Sequence, residues 1–153
     1  MATYKEFLED PIKKQIEKIG SNFPFHAFIL DAIAIELIGR ISKNNEHSQV
    51  INNGDSKGNF ISAIENYFPN KYHPYSEFLY TNLRCGLAHF FAPKPKLDLK
   101  RKSEVKNELD NLKVLESGQL LLVFEYFHKD LCSAVDKLIG ENKPLLSESF
   151  LNT

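Results

Sequence analysis

Apolar residues recur at helical spacing along most of the chain, and this pattern predicts three long helices. Residues 24–43 are apolar nearly all round and begin with Pro24, which suits the first turn of a helix. Residues 118–139 carry one apolar stripe, and residues 4–19 carry a weaker one that Pro11 interrupts. Because a helix that is apolar on every side is normally buried, we expect residues 24–43 to form the centre of a helical bundle.

Between these helices the pattern predicts two shorter helices and a long irregular segment. The polar run of residues 44–58 indicates a loop, residues 58–68 a short helix, and residues 75–90 a helix that Pro74 begins. After it, two prolines and the alternation in "KLDLK" break the helical pattern. They favour extended structure, including a small hairpin with "NLKVLES".

Together these elements predict an all-α fold, a bundle of four or five helices with a long irregular or β-hairpin insertion before the last helix. We expect residues 1–140 to form a single domain and residues 141–153 to form a loose C-terminal tail. In the last helix the pattern places Tyr126 and His128 on the outer face.

Composition and charge narrow the class of protein. The chain has 153 residues, 42% of them apolar, and a net charge of -1. This fits one globular domain with no overall field to attract nucleic acid or a membrane. The two cysteines, Cys85 and Cys132, form no CxxC pair, and no segment has the apolar run of a signal peptide or a membrane span. We therefore expect a cytoplasmic protein without a membrane partner.

The chain carries no recognisable metal or cofactor motif. Its histidines show no metal-ligand spacing, and neither a phosphate-binding loop nor a dinucleotide fingerprint occurs. Cys85 and His89, at i and i+4, could form a nucleophile–base pair, but the sequence shows no third partner and an inert thiol is the simpler interpretation. We expect no metal and no cofactor.

The stretch "TNLRCGLAHF", residues 81–90, places a fixed cation and a titratable imidazole in an otherwise apolar helix. On a helix that turns by about 100° per residue, Arg84 and His89 point about 140° apart. They can meet at one substrate only if the helix is distorted or if two copies of it pack together, as in an isologous dimer. The structural alternative is that Arg84 pairs with Glu77 or Asp31 and that His89 caps the helix end.

The run "LRCGLAHF" resembles the R-x-x-x-x-H motif of the HEPN superfamily, with Arg84 and His89 at the two motif positions. Members of that superfamily are small helical bundles, commonly homodimers, and many are metal-independent ribonucleases of toxin–antitoxin and phage-defence systems. The resemblance implies that Arg84 and His89 are catalytic and that RNA and an antitoxin-like protein are partners. A surplus of apolar surface on residues 24–43 and 118–139 also favours a homodimer.

The residue after the motif arginine departs from the family pattern. Active members usually carry Asn, Asp or His there, whereas this chain has Cys85, a poor hydrogen-bond donor and acceptor. Three outcomes stay open: activity is reduced, Asn82 supplies the polar group, or the fold is retained without the nuclease. The last outcome is a non-catalytic module that binds a nucleotide, a small ligand or a partner protein.

The chemistry of RNA cleavage suits an arginine and a histidine without a metal. A histidine can take up or release a proton near neutral pH, and a guanidinium stabilises the charge that develops on the phosphate. Residues 94–106 follow the motif with a local excess of positive charge, and Lys100, Arg101 and Lys102 are candidate RNA-binding residues. Taken alone, such a run also fits a solvated loop.

Overall fold

Helices make up most of the structure, a computed structural model that describes residues 3–44 and 55–149. The α-helices in these ranges are α1 (Tyr4–Phe7), α2 (Ile16–Asn22), α3 (Pro24–Lys43), α4 (Ser56–Tyr67), α5 (Ser76–Leu79), α6 (Cys85–Phe90) and α7 (Phe124–Gly140). The strands are β1 (Leu97–Lys100) and β2 (Leu120–Val123). The predicted helical bundle with a small β insertion is confirmed at this level, and most of the predicted loop at residues 44–58 lies outside the described residues. None of the described helices has the length and apolar character that a membrane span requires.

The first helical stretch runs from α1 to α2 through a π-helical segment (Leu8–Gln15) that contains Pro11. Proline lacks an N–H and its ring crowds the preceding turn, so a wider π turn lets the helix continue past it. Thr3 caps the start: its side chain accepts from the Glu6 N–H, and its own N–H donates to the Glu6 carboxylate at 2.8 Å.

The centre of the bundle is α3, as the pattern predicts. Ile35, Ile38 and Ile41 are fully buried, and α3 packs against α2, α4 and α7. The backbone of α4 approaches closely at Gly39, where a Cβ would lie 1.8 Å from the backbone oxygen of Asn59. Contrary to the expectation of burial on every side, one side of α3 is exposed within the described structure.

The small sheet differs from the expected hairpin. β1 pairs in parallel with β2, with Leu97 opposite Leu120, and not with residues 111–117. Residues 120–123 were expected to begin the last helix, but α7 begins at Phe124. All four β2 side chains are buried, and a short continuous apolar run is typical of a buried parallel strand as well as of a buried helix.

The predicted helix of residues 75–90 is divided into α5, a π-helical segment (Tyr80–Arg84) and α6. Leu83 is buried, as its position on the apolar face predicts. Phe90 shares that face by helical spacing, yet it is 71% exposed. The reason is that Phe91 adopts a left-handed conformation, φ 54°, which ends the helix there.

The C-terminal segment packs against the N-terminal helical stretch. Leu145 and Leu146 are buried, and the Tyr4 N–H donates to the Glu148 carbonyl at 3.0 Å. The expectation of a loose tail is wrong for this part of it, because burying two leucines stabilises the packed arrangement. Residues 150–153 lie outside the described residues.

Candidate functional site

Arg84 ends the π-helical segment and contacts α3. Its Nε donates a hydrogen bond to Oε2 of Glu36 at 2.8 Å, and the two side chains are only 22% and 24% exposed. Glu77 and Asp31, the partners considered from the sequence, are each paired with another residue. The motif arginine therefore has a carboxylate partner on α3, the helix of Asp31, but the partner is Glu36 and not Asp31.

The bond to Glu36 leaves part of the guanidinium available. Nε is the one guanidinium nitrogen of Arg84 that has a hydrogen-bond acceptor among the described residues. The two Nη groups have none there. The Tyr80 ring lies beside them, with its centroid 6.0 Å from Cζ. Two parallel N–H donors at a half-buried position can bind two oxygens of a phosphate, while Glu36 offsets much of the positive charge.

His89 lies in the last turn of α6 and is exposed. Within the described ranges its imidazole has no hydrogen bond, ion pair or ring contact, so the helix-end cap considered as the structural alternative is not formed there. Residues 85–90 are α-helical, so Arg84 and His89 still point about 140° apart. One chain therefore presents the two motif side chains in different directions.

Gly86, between the two motif residues, has a packing role. After the turn at Phe91 the chain folds back over α6, and a Cβ at Gly86 would lie 2.8 Å from Ala92 O and 3.0 Å from Lys94 N. The Lys94 N–H donates to the backbone oxygen of Asn82 at 3.0 Å, which fixes this return segment. A side chain at position 86 would push the segment away.

The supporting residues Asn82 and Cys85 are both partly or fully covered. Asn82 is buried, and its Nδ2 donates to the Phe78 carbonyl at 2.9 Å, so its amide serves the backbone of its own helix. Cys85 is a half-buried free thiol. The position beside the motif arginine therefore carries no strong hydrogen-bonding group.

The three cations proposed for RNA binding each have a local partner. Nζ of Lys100 lies 4.0 Å from the Asp98 carboxylate and 3.9 Å from the Glu104 carboxylate. Arg101 donates from Nη2 to the carbonyl of Asn22, at the end of α2, at 3.1 Å. Lys102 Nζ lies 5.9 Å from the centroid of the Tyr126 ring. These contacts order the segment and use part of its positive charge locally.

An exposed apolar surface lies along the outer side of α3 and continues onto the turn after α6. We call it the α3 face and define it by Phe23, His26, Leu30, Ile33 and Phe91. Phe23 is 61% exposed, Ile33 53% and Phe91 64%. The Phe91 ring lies 6.1 Å from the His26 ring, and a groove connects these side chains with Leu30. The surface therefore begins two residues after His89.

Sequence reasoning missed a buried ionic pair between α3 and α7. His128, expected on the outer face, is 4% exposed, and its Nδ1 lies 2.8 Å from Oδ1 of the fully buried Asp31. An aspartate in the middle of an apolar helix was the available signal, since buried charges are normally paired. The correction is physical: Asp31 needs a donor, and a histidine on α7 supplies it.

The protonation of this pair follows from its surroundings. Burial raises the pKa of the Asp31 carboxyl to about 6, although the hydrogen bond and charge of His128 oppose that rise. Burial alone would lower the pKa of His128, but its hydrogen bonds to Asp31 and Cys132 and the charge on Asp31 raise it well above 6.5. The pair is therefore a carboxylate and an imidazolium at neutral pH. No three His, Cys, Asp or Glu side chains of the described residues form a group that could hold a metal ion.

Comparisons of the chain with family models, curated proteins and solved structures found no match.

Proposed function

We propose that this chain is a HEPN-like protein that cleaves RNA without a metal and acts as a homodimer. The observation that carries the proposal is that both motif residues have polar groups without a hydrogen-bond partner among the described residues. His89 presents an exposed imidazole without a described partner, and Arg84 presents two Nη groups beside a fixed Nε. These groups can therefore contact a phosphate and exchange a proton with a substrate.

The reaction would follow from these groups. The 2′-hydroxyl of a nucleotide attacks the adjacent phosphorus, and the bond from phosphorus to the 5′ oxygen of the next nucleotide breaks. His89 takes the hydroxyl proton while water protonates the leaving oxygen, or His89 gives a proton to the leaving oxygen while water takes the hydroxyl proton. Arg84 binds the phosphate oxygens as negative charge develops, and Glu36 orients the guanidinium through Nε. The products are a cyclic phosphate and a free 5′-hydroxyl.

The dimer would resolve the divergence of about 140° between Arg84 and His89. If two copies pack through the α3 face, the helix end that carries His89 lies at the interface, because the face begins at Phe91. Each composite site would then combine one copy's arginine with the other's histidine, and the two-fold symmetry would create two such sites.

The area of the α3 face agrees with this assembly. Phe23 and Phe91 together expose roughly 250 Å², taking about 200 Å² for a phenylalanine side chain. Leu30 and Ile33 raise the apolar area to roughly 400 Å², the size of the largest patch on a typical monomer. Two copies would bury roughly 800 Å² of apolar surface, most of the apolar part of a standard interface of about 1,600 Å².

A second candidate function is favoured by specific observations. Glu36 offsets the charge of Arg84, Cys85 offers a weak hydrogen-bonding group, and the Asn82 amide is used within its helix. These features favour a non-catalytic module that retains the bundle and binds a nucleotide, a small ligand or a partner protein.

Cleavage of a mixed RNA pool by the purified protein in the presence of a chelator tests the first proposal. We expect cyclic-phosphate ends from the wild type and their loss in both Arg84→Ala and His89→Ala. Thr81→Ala, an exposed position on the same helical stretch, is the matched control and should cleave normally. Mixing the two inactive variants should restore part of the activity, because mixed dimers contain one intact composite site.

Two outcomes would contradict the proposal. If the wild type cleaves no RNA, the non-catalytic function replaces it, and Cys85→Asn then tests whether a polar side chain beside Arg84 restores cleavage. If His89→Ala retains full activity, His89 is not the proton-transfer group.

A further inference from the structure

A second cluster of reactive side chains lies about the α7 helix, and it is independent of the proposed ribonuclease site. Cys132 follows His128 by one helical turn, with Sγ 3.4 Å from Nε2. The other ring nitrogen, Nδ1, lies 2.8 Å from Asp31 on α3. A thiol, an imidazole and a carboxylate thus stand in line, and a cationic imidazole beside a thiol is one of the arrangements that activate a cysteine.

The hydrogen bonds fix where the protons lie. His128 Nε2 lies 3.0 Å from the carbonyl oxygen of Lys13, which can only accept, so Nε2 carries a proton. Sγ of Cys132 therefore faces an N–H. Since Asp31 is ionised, Nδ1 also carries a proton, and the ring is a cation.

Asp31 has a further property that keeps the ring charged. Its second oxygen, Oδ2, is buried and has no hydrogen-bond partner. In the described structure His128 is the one group that compensates this carboxylate charge. A neutral ring would leave an uncompensated buried charge, which is strongly unfavourable.

Other charged side chains near Cys132 lie on the first helical stretch, on α2 and on α7 itself. Lys13, on the first helical stretch, is a second nearby cation and is paired with Asp136 of α7. Glu17, Glu125 and Lys129 line the adjacent cavity.

This cavity makes the thiol accessible. It has a volume of about 350 Å³ and is lined by His128 and Cys132 together with residues of α2. Cys132 is half-buried, which leaves room for a small reagent but not for a folded partner. Reactive cysteines characteristically occupy partly exposed positions beside a cation, and the adjacent cation here is His128.

We propose that Cys132 is a modification site for small disulfides, activated by the imidazolium of His128. The thiol gives its proton to solvent. The thiolate lies beside Nε2 of the imidazolium and shares its N–H with the Lys13 carbonyl. It then attacks one sulfur of the small disulfide, the sulfur–sulfur bond breaks, and the second half leaves as a thiolate. The product is a mixed disulfide at Cys132, which a thiol reductant reverses.

The two cysteines of the chain provide an internal comparison. The reagent is 4,4′-dithiodipyridine, an uncharged disulfide whose released thiol is measured by absorbance. Cys85→Ser reports on Cys132 alone, and Cys132→Ser reports on Cys85 alone. We expect Cys132 to react about tenfold faster than Cys85 in the folded protein at pH 7, and the two rates to become similar in urea.

The role of His128 is tested in the Cys85→Ser background. His128→Asn should reduce the rate about tenfold, whereas Lys137→Gln, which removes an exposed cation of α7 that does not line the cavity, should change it little. If His128→Asn does not fold, Lys13→Met is the second test. It removes the other nearby cation, whose side chain is partly exposed, and should slow the reaction several-fold. Equal rates for Cys132 and Cys85 in the folded protein, or a rate unaffected by both His128→Asn and Lys13→Met, would overturn the proposal.

Discussion

Glu36 on α3 accepts one hydrogen bond from Arg84, from Nε to Oε2 at 2.8 Å, although the two residues are 48 positions apart in the chain. The pair fixes the plane of the guanidinium while the Nη groups remain without a described acceptor. A half-buried carboxylate that offsets the motif cation can both orient a phosphate-binding group and weaken it.

Glu36→Gln separates these two effects. Removing the negative charge should increase RNA affinity about two- to fivefold, the equivalent of a partly screened charge pair, while the amide retains an acceptor for Nε. The measurement is fluorescence anisotropy with a labelled RNA at low salt. Glu77→Gln is the control, because it removes a similar carboxylate from an exposed pair with Lys57. If both variants bind RNA as the wild type does, Arg84 does not contact the phosphate.

The α3 face should hold two copies together. Ile33→Asp places a charge in the middle of that face and should shift the protein from dimer to a 17.6 kDa monomer without loss of helix content. Sedimentation equilibrium measures the mass and circular dichroism the helix content. Leu109→Asp is the matched control, since Leu109 is 87% exposed but lies outside the face. A wild-type protein that is monomeric at micromolar concentration would refute the dimer.

Gly86→Ala should disturb the motif helix from within. The added Cβ would meet Ala92 O and Lys94 N, so the return segment must move, and we expect a loss of about 1–3 kcal/mol of unfolding free energy. Gly140→Ala has no atom within 4 Å of the new Cβ and should be neutral or slightly stabilising. Urea unfolding of both variants gives the comparison, and equal stability would mean that the segment adapts without cost.

The positive segment should act through phosphates if it contacts RNA. Replacing Lys100, Arg101 and Lys102 by alanine should weaken binding to unrelated RNA sequences equally and should flatten its dependence on salt. The local partners of these residues make the expected change smaller than three free cations would give. Unchanged affinity and salt dependence would identify the segment as structural.

The main helices could be predicted because the apolar period is long and repeated, which distinguishes a helix from other elements. The strand at residues 120–123 could not, since four consecutive apolar residues are compatible with a buried helix or a buried strand. The parallel partner of β1 depends on packing that no local pattern records. Phe90 was misplaced because a left-handed Phe91 ends the helix, and phenylalanine is not a residue that marks such a turn.

The candidate site shows the same division. The sequence identified Arg84 and His89 and the angle between them, because those depend only on residue type and helix geometry. It could not identify Glu36 as the partner of Arg84, nor Asp31 as the partner of His128, because each pair connects distant helices. In both cases a charged residue within apolar α3 was visible, but its partner was determined by which helix packs against that position.

The Asp31–His128 pair makes stability depend on pH in a direction that can be worked out. The folded protein holds the His128 proton more tightly than the unfolded chain, in which the pKa is 6.5. Stability from this group is therefore complete below pH 6.5 and is lost as the pH rises above it, because the unfolded chain releases its proton first. Asp31 acts in the same direction at lower pH, between 3.8 and about 6, so the interval above 6.5 reports His128.

The comparison is between the parent and Asp31→Asn/His128→Asn, both in a Cys132→Ser background, which removes the neighbouring thiol. Above pH 6.5 the unfolding free energy of the parent relative to that variant should fall with a slope that approaches about 1.4 kcal/mol per pH unit, the value for one proton held only in the folded state. Asp31→Asn alone should cost about 3–5 kcal/mol at neutral pH, since it removes one partner of a buried ion pair. Urea unfolding at several pH values measures both quantities. A difference between parent and double variant that stays constant with pH would mean that His128 is neutral in the folded protein, and the activation of Cys132 by an imidazolium would then also be excluded.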